Sequence, residues 1–346
     1  MTVGIRLLCL VSIVAVSLGA NAPAAFAADP AAFFKNREIR VVVGQEAGAT
    51  YDTYARAVAR HMARHLPGNP ILVITNMQGA GSIVALNHLY NVAPRDGSTI
   101  GAINPGAVSA SILNPETARY DSRKFNWIGS VSRETAVIVV RSDAKAQSLK
   151  DAMTSEIVVG GTGGASSVLT TMLNGVLGTK FKVIEGYKGA SEVYLAMERG
   201  EVDGIGSTTL TSLRATHSAM LETKKLRIIG QYGLSPLASL PDVPTVMDLV
   251  TNPEQRDALG LVLIRPEIGR ALLAPPDVPA DIVAAYRAAF DRTMIDPAFK
   301  EEVVARKMDL DPQSGAQLEP LIADLYRASP AIVEKVKGIM GGQPPG

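Results

Sequence analysis

The chain has 346 residues, 47% hydrophobic and 19% charged, with 34 basic against 33 acidic side chains and a formal net charge of +1. That composition is ordinary for a globular protein; it argues against disorder and leaves no basic surplus for a nucleic-acid partner.

Arg6 is the only charge before an apolar run that includes Leu7, Leu8, Leu10, Val11, Ile13, Val14, Val16 and Leu18. Small residues follow and end in Ala25-Phe26-Ala27, an A-x-A cleavage pattern. The run is too short to span a bilayer comfortably, which predicts a signal peptide at 1–27, cut after Ala27, with a retained anchor as the competing reading. The only cysteine, Cys9, leaves with it, so the exported chain needs a core that is sufficient without disulfides. The remainder has no long uninterrupted apolar stretch and is expected to be soluble, with about two domains.

Strand-like and helix-like patterns then alternate. Ile39–Val43 is strand-like and leads to an amphipathic helix around Tyr51–His65. Ile71–Asn76, a helix around Ser82–Val92, and Thr99–Ile103 follow. Beyond a loop region come the strand Ala136–Arg141, a helical Ser148–Thr154, the strand Ile157–Gly160, and a helix around Ser166–Leu177. Phe181–Glu185, a helix over 190–199, a short strand near Gly204–Ser207, and the strand Leu226–Tyr232 complete a second round. From Pro279 onward the pattern is helical, notably over Ala280–Ile295 and Gln317–Arg327. Such alternation predicts α/β lobes with mostly parallel sheets, whose ligand site lies in the loops beyond the strand ends.

Four loops have the chemistry for such a site. Gln45-Glu46-Ala47-Gly48-Ala49-Thr50 joins the first strand to its helix; Thr50 can cap that helix, and Asp52 complements its positive end. Bare amides there would receive a carboxylate or phosphate. Asn76 to Ser82 is a second glycine loop. It is neither a dinucleotide fingerprint, since Val84 stands where glycine is required, nor a P-loop. Gly160 to Ser167 and Tyr187-Lys188-Gly189-Ala190-Ser191 offer amides and hydroxyls from the second round.

Catalytic patterns are thin. His61 and His65 are four apart on one helix, but Met62 stands where a metalloprotease needs glutamate, so a solvated helix face is expected. There is no G-x-S-x-G elbow and no cysteine left to act as nucleophile. No cofactor and no enzymatic activity are expected.

Taken together, these loops resemble the periplasmic receptors of tripartite tricarboxylate transporters, the Bug-type family. The family's V-P-F-x-A-G-G-x-T-D stretch reads here as Val43 to Asp52, continuing through Ala55-Arg56. Its N-x-x-G-A-G-[GS] loop is Asn76-Met77-Gln78-Gly79-Ala80-Gly81-Ser82, and its A-P-D-G-Y-T turn is Ala93 to Thr99. Tyr187-Lys188-Gly189 with Gly200-Glu201-Val202-Asp203, Pro241 to Thr245, and Ala274 to Pro279 also correspond, in order, over nearly the whole mature chain.

The resemblance implies a periplasmic binding protein type II-like fold, two α/β lobes around a hinged ligand cleft. The expected division is a first lobe over 28–128, a second lobe over 129–232, and a helical return to the first lobe over 233–346, with crossings near Trp127–Ser132 and Leu226–Tyr232. It implies a periplasmic monomer that captures a small organic acid and delivers it to the membrane subunits of such a transporter. The expected ligand-binding residues are Gln45, Glu46, Gly48, Ala49, Thr50, Asp52 and Gly81 in the first lobe, with Asn104. In the second they are Thr162, Gly163, Ala165, Ser166, Tyr187, Gly189, Ala190, Ser191 and Ser207. Three departures stand out: the loop gains Glu46, which would repel a nearby carboxylate by roughly 1 kcal/mol or more; Ser207 replaces an acid; and Tyr51 replaces a threonine. They make an aromatic, hydroxylated or amino-bearing acid plausible. A sensory protein docking on a kinase ectodomain and a periplasmic enzyme are the rival readings.

Overall fold

The computed structural model describes residues 29–162 and 164–341. The expected signal peptide, its cleavage point at Ala27, and Gly163 lie outside them. The strands are β1 Glu38–Val43, β2 Ile71–Asn76, β3 Thr99–Ala102, β4 Asn126–Ser130, β5 Ala136–Arg141, β6 Ile157–Gly160, β7 Phe181–Ile184, β8 Gly204–Thr209, β9 Leu226–Tyr232, β10 Ala271–Ala274 and β11 Gln313–Ser314. The helices through the second sheet are α1 Pro30–Phe34, α2 Thr50–Met62, α3 Ile83–Asn91, α4 Gly106–Leu113, α5 Asp151–Thr154, α6 Gly164–Leu177, α7 Ala190–Glu198 and α8 Leu210–Glu222. The rest are α9 Pro253–Ile268, α10 Ala280–Ile295, α11 Pro297–Ala305, α12 Gly315–Leu325 and α13 Pro330–Gly341.

Two sheets form, each the centre of a lobe. The first runs β11-β4-β10-β3-β1-β2 and the second β7-β6-β8-β5-β9. The expectation of mostly parallel sheets is overturned. β1 lies parallel to β2 and β3, but β10 enters antiparallel between β3 and β4. Likewise β6 is parallel to β7 and β8, while β5 runs antiparallel between β8 and β9. The cause is the path of the chain. β4 and β9 end on the side where the lobes meet, so a strand entered straight from a crossing starts there and must run the other way.

Alternation along the strands builds three cores. Ile39, Val41 and Val43 of β1 point into a core with Val58 and Met62 of α2, Tyr286 and Phe290 of α10, and Phe299 of α11. Val42 points the opposite way, into a second core. On β5, Val137 and Val139 face a third core with Val193 and Leu213, whereas Ile138 and Val140 join the core of Val42. That shared core is filled by α9, α12 and α13, including Leu259, Ile264, Ile322 and Val336. One face of each sheet is therefore joined to the other lobe through common helices, and the opposite faces pack the other two cores.

The lobes are also joined by an irregular ribbon. Residues 131–135 leave β4 and run beside residues 266–270, which lead into β10. Val131 N–H donates to Arg270 O, Arg270 N–H to Ser132 O, and Glu134 N–H to Pro266 O, at 3.1, 3.1 and 2.8 Å. The expected crossings shift accordingly: residues 127–130 belong to β4 and Leu226–Tyr232 to β9, and the chain crosses after each.

Candidate functional site

The loop after β1 is held by its own polar groups. Ala49, not Thr50, is the N-cap of α2, and no side chain caps there; Thr50 is already helical. Gln45 does the work from a distance, its Oε1 accepting from Tyr51 N–H at 3.1 Å. Gly48, at φ +82°, supplies the left-handed turn that glycine tolerates. Its N–H donates to Asp52 Oδ2 at 2.8 Å. Asp52, 1% exposed, also accepts from Arg56 Nε at 2.8 Å and Asn76 Nδ2 at 2.9 Å. Burial alone would raise this carboxyl, but hydrogen bonds from Arg56, Gly48 and Asn76 outweigh it and hold it below the usual range. Asp52 thus fixes the loop, and Glu46 lies exposed.

The neighbouring loops are tied to this one. Ser82 Oγ donates to Gly44 O at 2.8 Å and accepts from Asn104 N–H at 2.9 Å, so one buried hydroxyl knots the loops after β1, β2 and β3. Asn104 Oδ1 accepts from Gly106 N–H at 2.8 Å and starts α4. Gly81 is exposed at φ +60°.

In the second lobe, Gly189 is the N-cap of α7, with open space around it, and Ala190 and Ser191 form the first turn. Glu192 already accepts from Lys188 N–H at 2.9 Å. Ser207 is buried on β8, Tyr187 packs partly against the third core, and Thr162 is half-buried. Ala165 and Ser166 belong to α6.

A cavity of about 810 Å³ opens where the two lobes meet. Of the expected residues it is lined by Gly48 and Thr50, at the start of α2. The facing wall is Thr209 to Ser212, the start of α8. Thr209 Oγ1 caps that helix by accepting from Ser212 N–H at 3.2 Å. Helix N-termini of the two lobes thus flank one space, and each presents partial positive charge.

Charged groups absent from the expected set complete the lining. Arg270 has a side chain 9% exposed; Nη1 donates to Glu134 at 2.8 Å, and the guanidinium lies over Tyr51 and Tyr54, 4.9 and 5.2 Å from their centroids. Its buried Nε has no hydrogen-bond partner. Tyr51 therefore packs beneath Arg270, where burial, opposed by Arg270, pushes its hydroxyl up to about 12. Arg133 Nε donates to Asp311 at 2.7 Å, and its Nη1 reaches Glu267 at 3.4 Å. Burial holds the Glu267 carboxyl above its ordinary range despite Arg133. Residues 306–311 form the remaining rim, beside Leu237 to Ser239. Gln231, wholly buried, shapes that last loop through Leu237 N–H and the carbonyls of Leu240 and Val243.

His61 and His65 face α11 instead of solvent. His61 Nε2 pairs with Glu302 and His65 Nε2 with Asp296, each at 2.7 Å, which overturns the solvated-face expectation. Among the described residues no group of three potential metal ligands assembles, and no helix is long and apolar enough to cross a membrane.

Comparison with known proteins gives a consistent picture. The family model described as tripartite tricarboxylate transporter family receptor matches residues 54–337. A UPF0065 protein in the gbd 5' region of Cupriavidus necator is 26% identical over 316 residues, covering 88% of both chains. A UPF0065 protein of Agrobacterium vitis is 27% identical over 277 residues, covering 76% of this chain and 73% of the relative. Among solved structures, a TctC solute binding protein from Polaromonas, without ligand, has a TM-score of 0.65 at 20% identity, covering 88% of this chain and 98% of its own. R. palustris Rpa4515 with adipate has a TM-score of 0.50 at 20% identity, covering 88% and 97%. The shared fold is that of a solute-binding protein.

Proposed function

Because the chain belongs to the tripartite tricarboxylate transporter receptor family, we propose that it is a periplasmic receptor that captures a small organic carboxylate and presents it to the transporter's membrane subunits. The observation that carries this reading is the cavity of about 810 Å³, flanked by the starts of α2 and α8 and lined by Arg133 and Arg270. The family is one of receptors, so the role proposed is binding without chemistry.

In this reading the acid's carboxylate meets the Thr50 amide and the positive start of α2. The lobes, one built on each sheet, close around it by bending the ribbon of residues 131–135 and 266–270. Closure brings Thr162, the starts of α6 and α7, and Ser207 toward the ligand. A ligand that bridges both lobes stabilises the closed form by its differential affinity. The relative bearing adipate supports the class, since its fold accommodates an aliphatic carboxylate.

A thermal-shift panel of carboxylic acids, sugar acids and amino acids on ligand-free protein tests the reading. A ligand at one hundred times its dissociation constant stabilises by about 2.7 kcal/mol, enough to raise the midpoint by several degrees. A panel in which no carboxylate raises the midpoint overturns it.

A further inference from the structure

Asp309 belongs to one lobe by its backbone and reaches the other by its side chain. Its N–H donates to the hydroxyl of Tyr54, on α2, at 2.7 Å. Its Oδ2 accepts from Thr211 Oγ1, in the first turn of α8, at 2.5 Å. The second-lobe wall of the cavity therefore already faces a carboxylate, and that carboxylate comes from across the cleft.

The charges around it are similarly committed. Arg133 is engaged by Asp311 and Glu267, Arg270 by Glu134, and Arg306 by Glu302. Arg214 and Lys307 form no ion pair among the described residues, but both are exposed at the rim, where a cation steers an incoming anion more than it fixes one. The wall at Gly48 and Thr50 is different: Glu46 is exposed and outside the lining, and Asp52 is consumed within the loop. The amides of Gly48, Ala49 and Tyr51 are taken by Asp52, the Glu46 carbonyl and Gln45, which leaves that of Thr50 at the start of the helix.

We propose that Asp309 sets the substrate class of this receptor: an acid with a single carboxylate, held at the start of α2, and a hydroxyl or ammonium donor at its far end, received by Asp309. A second carboxylate in that place meets the Asp309 charge and is rejected. This inference rests on the receptor reading above.

The test is calorimetric titration with matched pairs on aliphatic skeletons of three to six carbons, each comprising an ω-hydroxy or ω-amino acid and the corresponding diacid. The expected result is that the hydroxy or amino member of at least one pair binds tenfold or more tighter than its diacid. Asp309→Asn, which keeps a hydrogen-bonding acceptor for Thr211 without the charge, should shrink or reverse that ratio by tenfold or more. Diacids bound equally or more tightly by the unmodified protein overturn the role of Asp309 and leave the receptor reading standing. So does a ratio unmoved in a folded Asp309→Asn. The wild-type ratio decides alone if that variant does not fold. Binding of neither series, with a flat carboxylate panel, overturns both readings.

Discussion

Arg270 lies across the ring of Tyr51, its guanidinium carbon 4.9 Å from the centroid, and hands a proton donor to Glu134. The two residues are far apart in the chain, and their contact ties the ribbon between the lobes to the helix that opens the cavity. A buried cation over a ring is worth up to about 2 kcal/mol, and a charged hydrogen bond about 1.5–3 kcal/mol.

Arg270→Ala should therefore destabilise the protein by about 2 kcal/mol or more, lowering the thermal midpoint by several degrees. Arg270→Lys should recover only part of that loss, because ammonium lacks the flat face that covers Tyr51 and Tyr54. Equal midpoints for wild type and the alanine variant would remove Arg270 from the junction.

Asp52→Ala removes the acceptor for three donors, one of them the Gly48 amide. We expect a loss of about 2 kcal/mol in denaturant unfolding and a larger proportional loss of ligand affinity, since the loop at Gly48 and Thr50 no longer holds its shape. Unchanged affinity in a folded variant would separate this loop from the binding site.

Glu302 supplies a pH test. Burial would raise its carboxyl, but Arg60, His61 and Arg306 outweigh that and bring it down to about 2. A carboxyl lowered on folding contributes stability that is complete above its unfolded value, 4.5, and is lost as pH falls toward 2. Glu302→Gln should lower stability at neutral pH and flatten the decline between about pH 4.5 and 2. Parallel stability curves for the two proteins across that window would contradict the assignment.

Gly269 tests the ribbon. It sits at φ +52°, and a Cβ there would fall 1.8 Å from the carbonyl oxygen of Ser132, on the neighbouring segment. Gly269→Ala must push the segments apart, at an expected cost of about 3 kcal/mol. A midpoint within a degree of wild type would mean that the ribbon yields freely.

Much of the scaffold was legible. β2, β9 and α10 have the bounds that their patterns predict, because each combines a clear period with punctuating residues at its ends. β4, with sequence NWIGS, was hidden by its short and partly polar run, and β10, ALLA, is made of helix formers. α8 was obscured by Thr and Ser, and α9 by two prolines and a glycine. At the site, the Gly48 turn could be read because its neighbours in space are neighbours in sequence. Arg270, Arg133 and Asp309 could not, since each stands in a segment without a motif and gains its meaning from residues on other elements. Tyr54 and Asp309 are 255 positions apart.

The position of β10 also dictates an order of events. All five strands of the second sheet lie within residues 136–232, so their pairing needs nothing made later. The first sheet cannot be completed that way: β4 reaches β3 only through β10, which arrives with residues 271–274, and β11 comes later still. A chain emerging from its N-terminus passes through a stage with one finished sheet and one with open edges, the stage at which a helper protein has most to hold. Asp309 and the rest of the rim follow β10. The pocket is thus finished only when most of the polypeptide has been made, and an interrupted chain has no grip on its cargo.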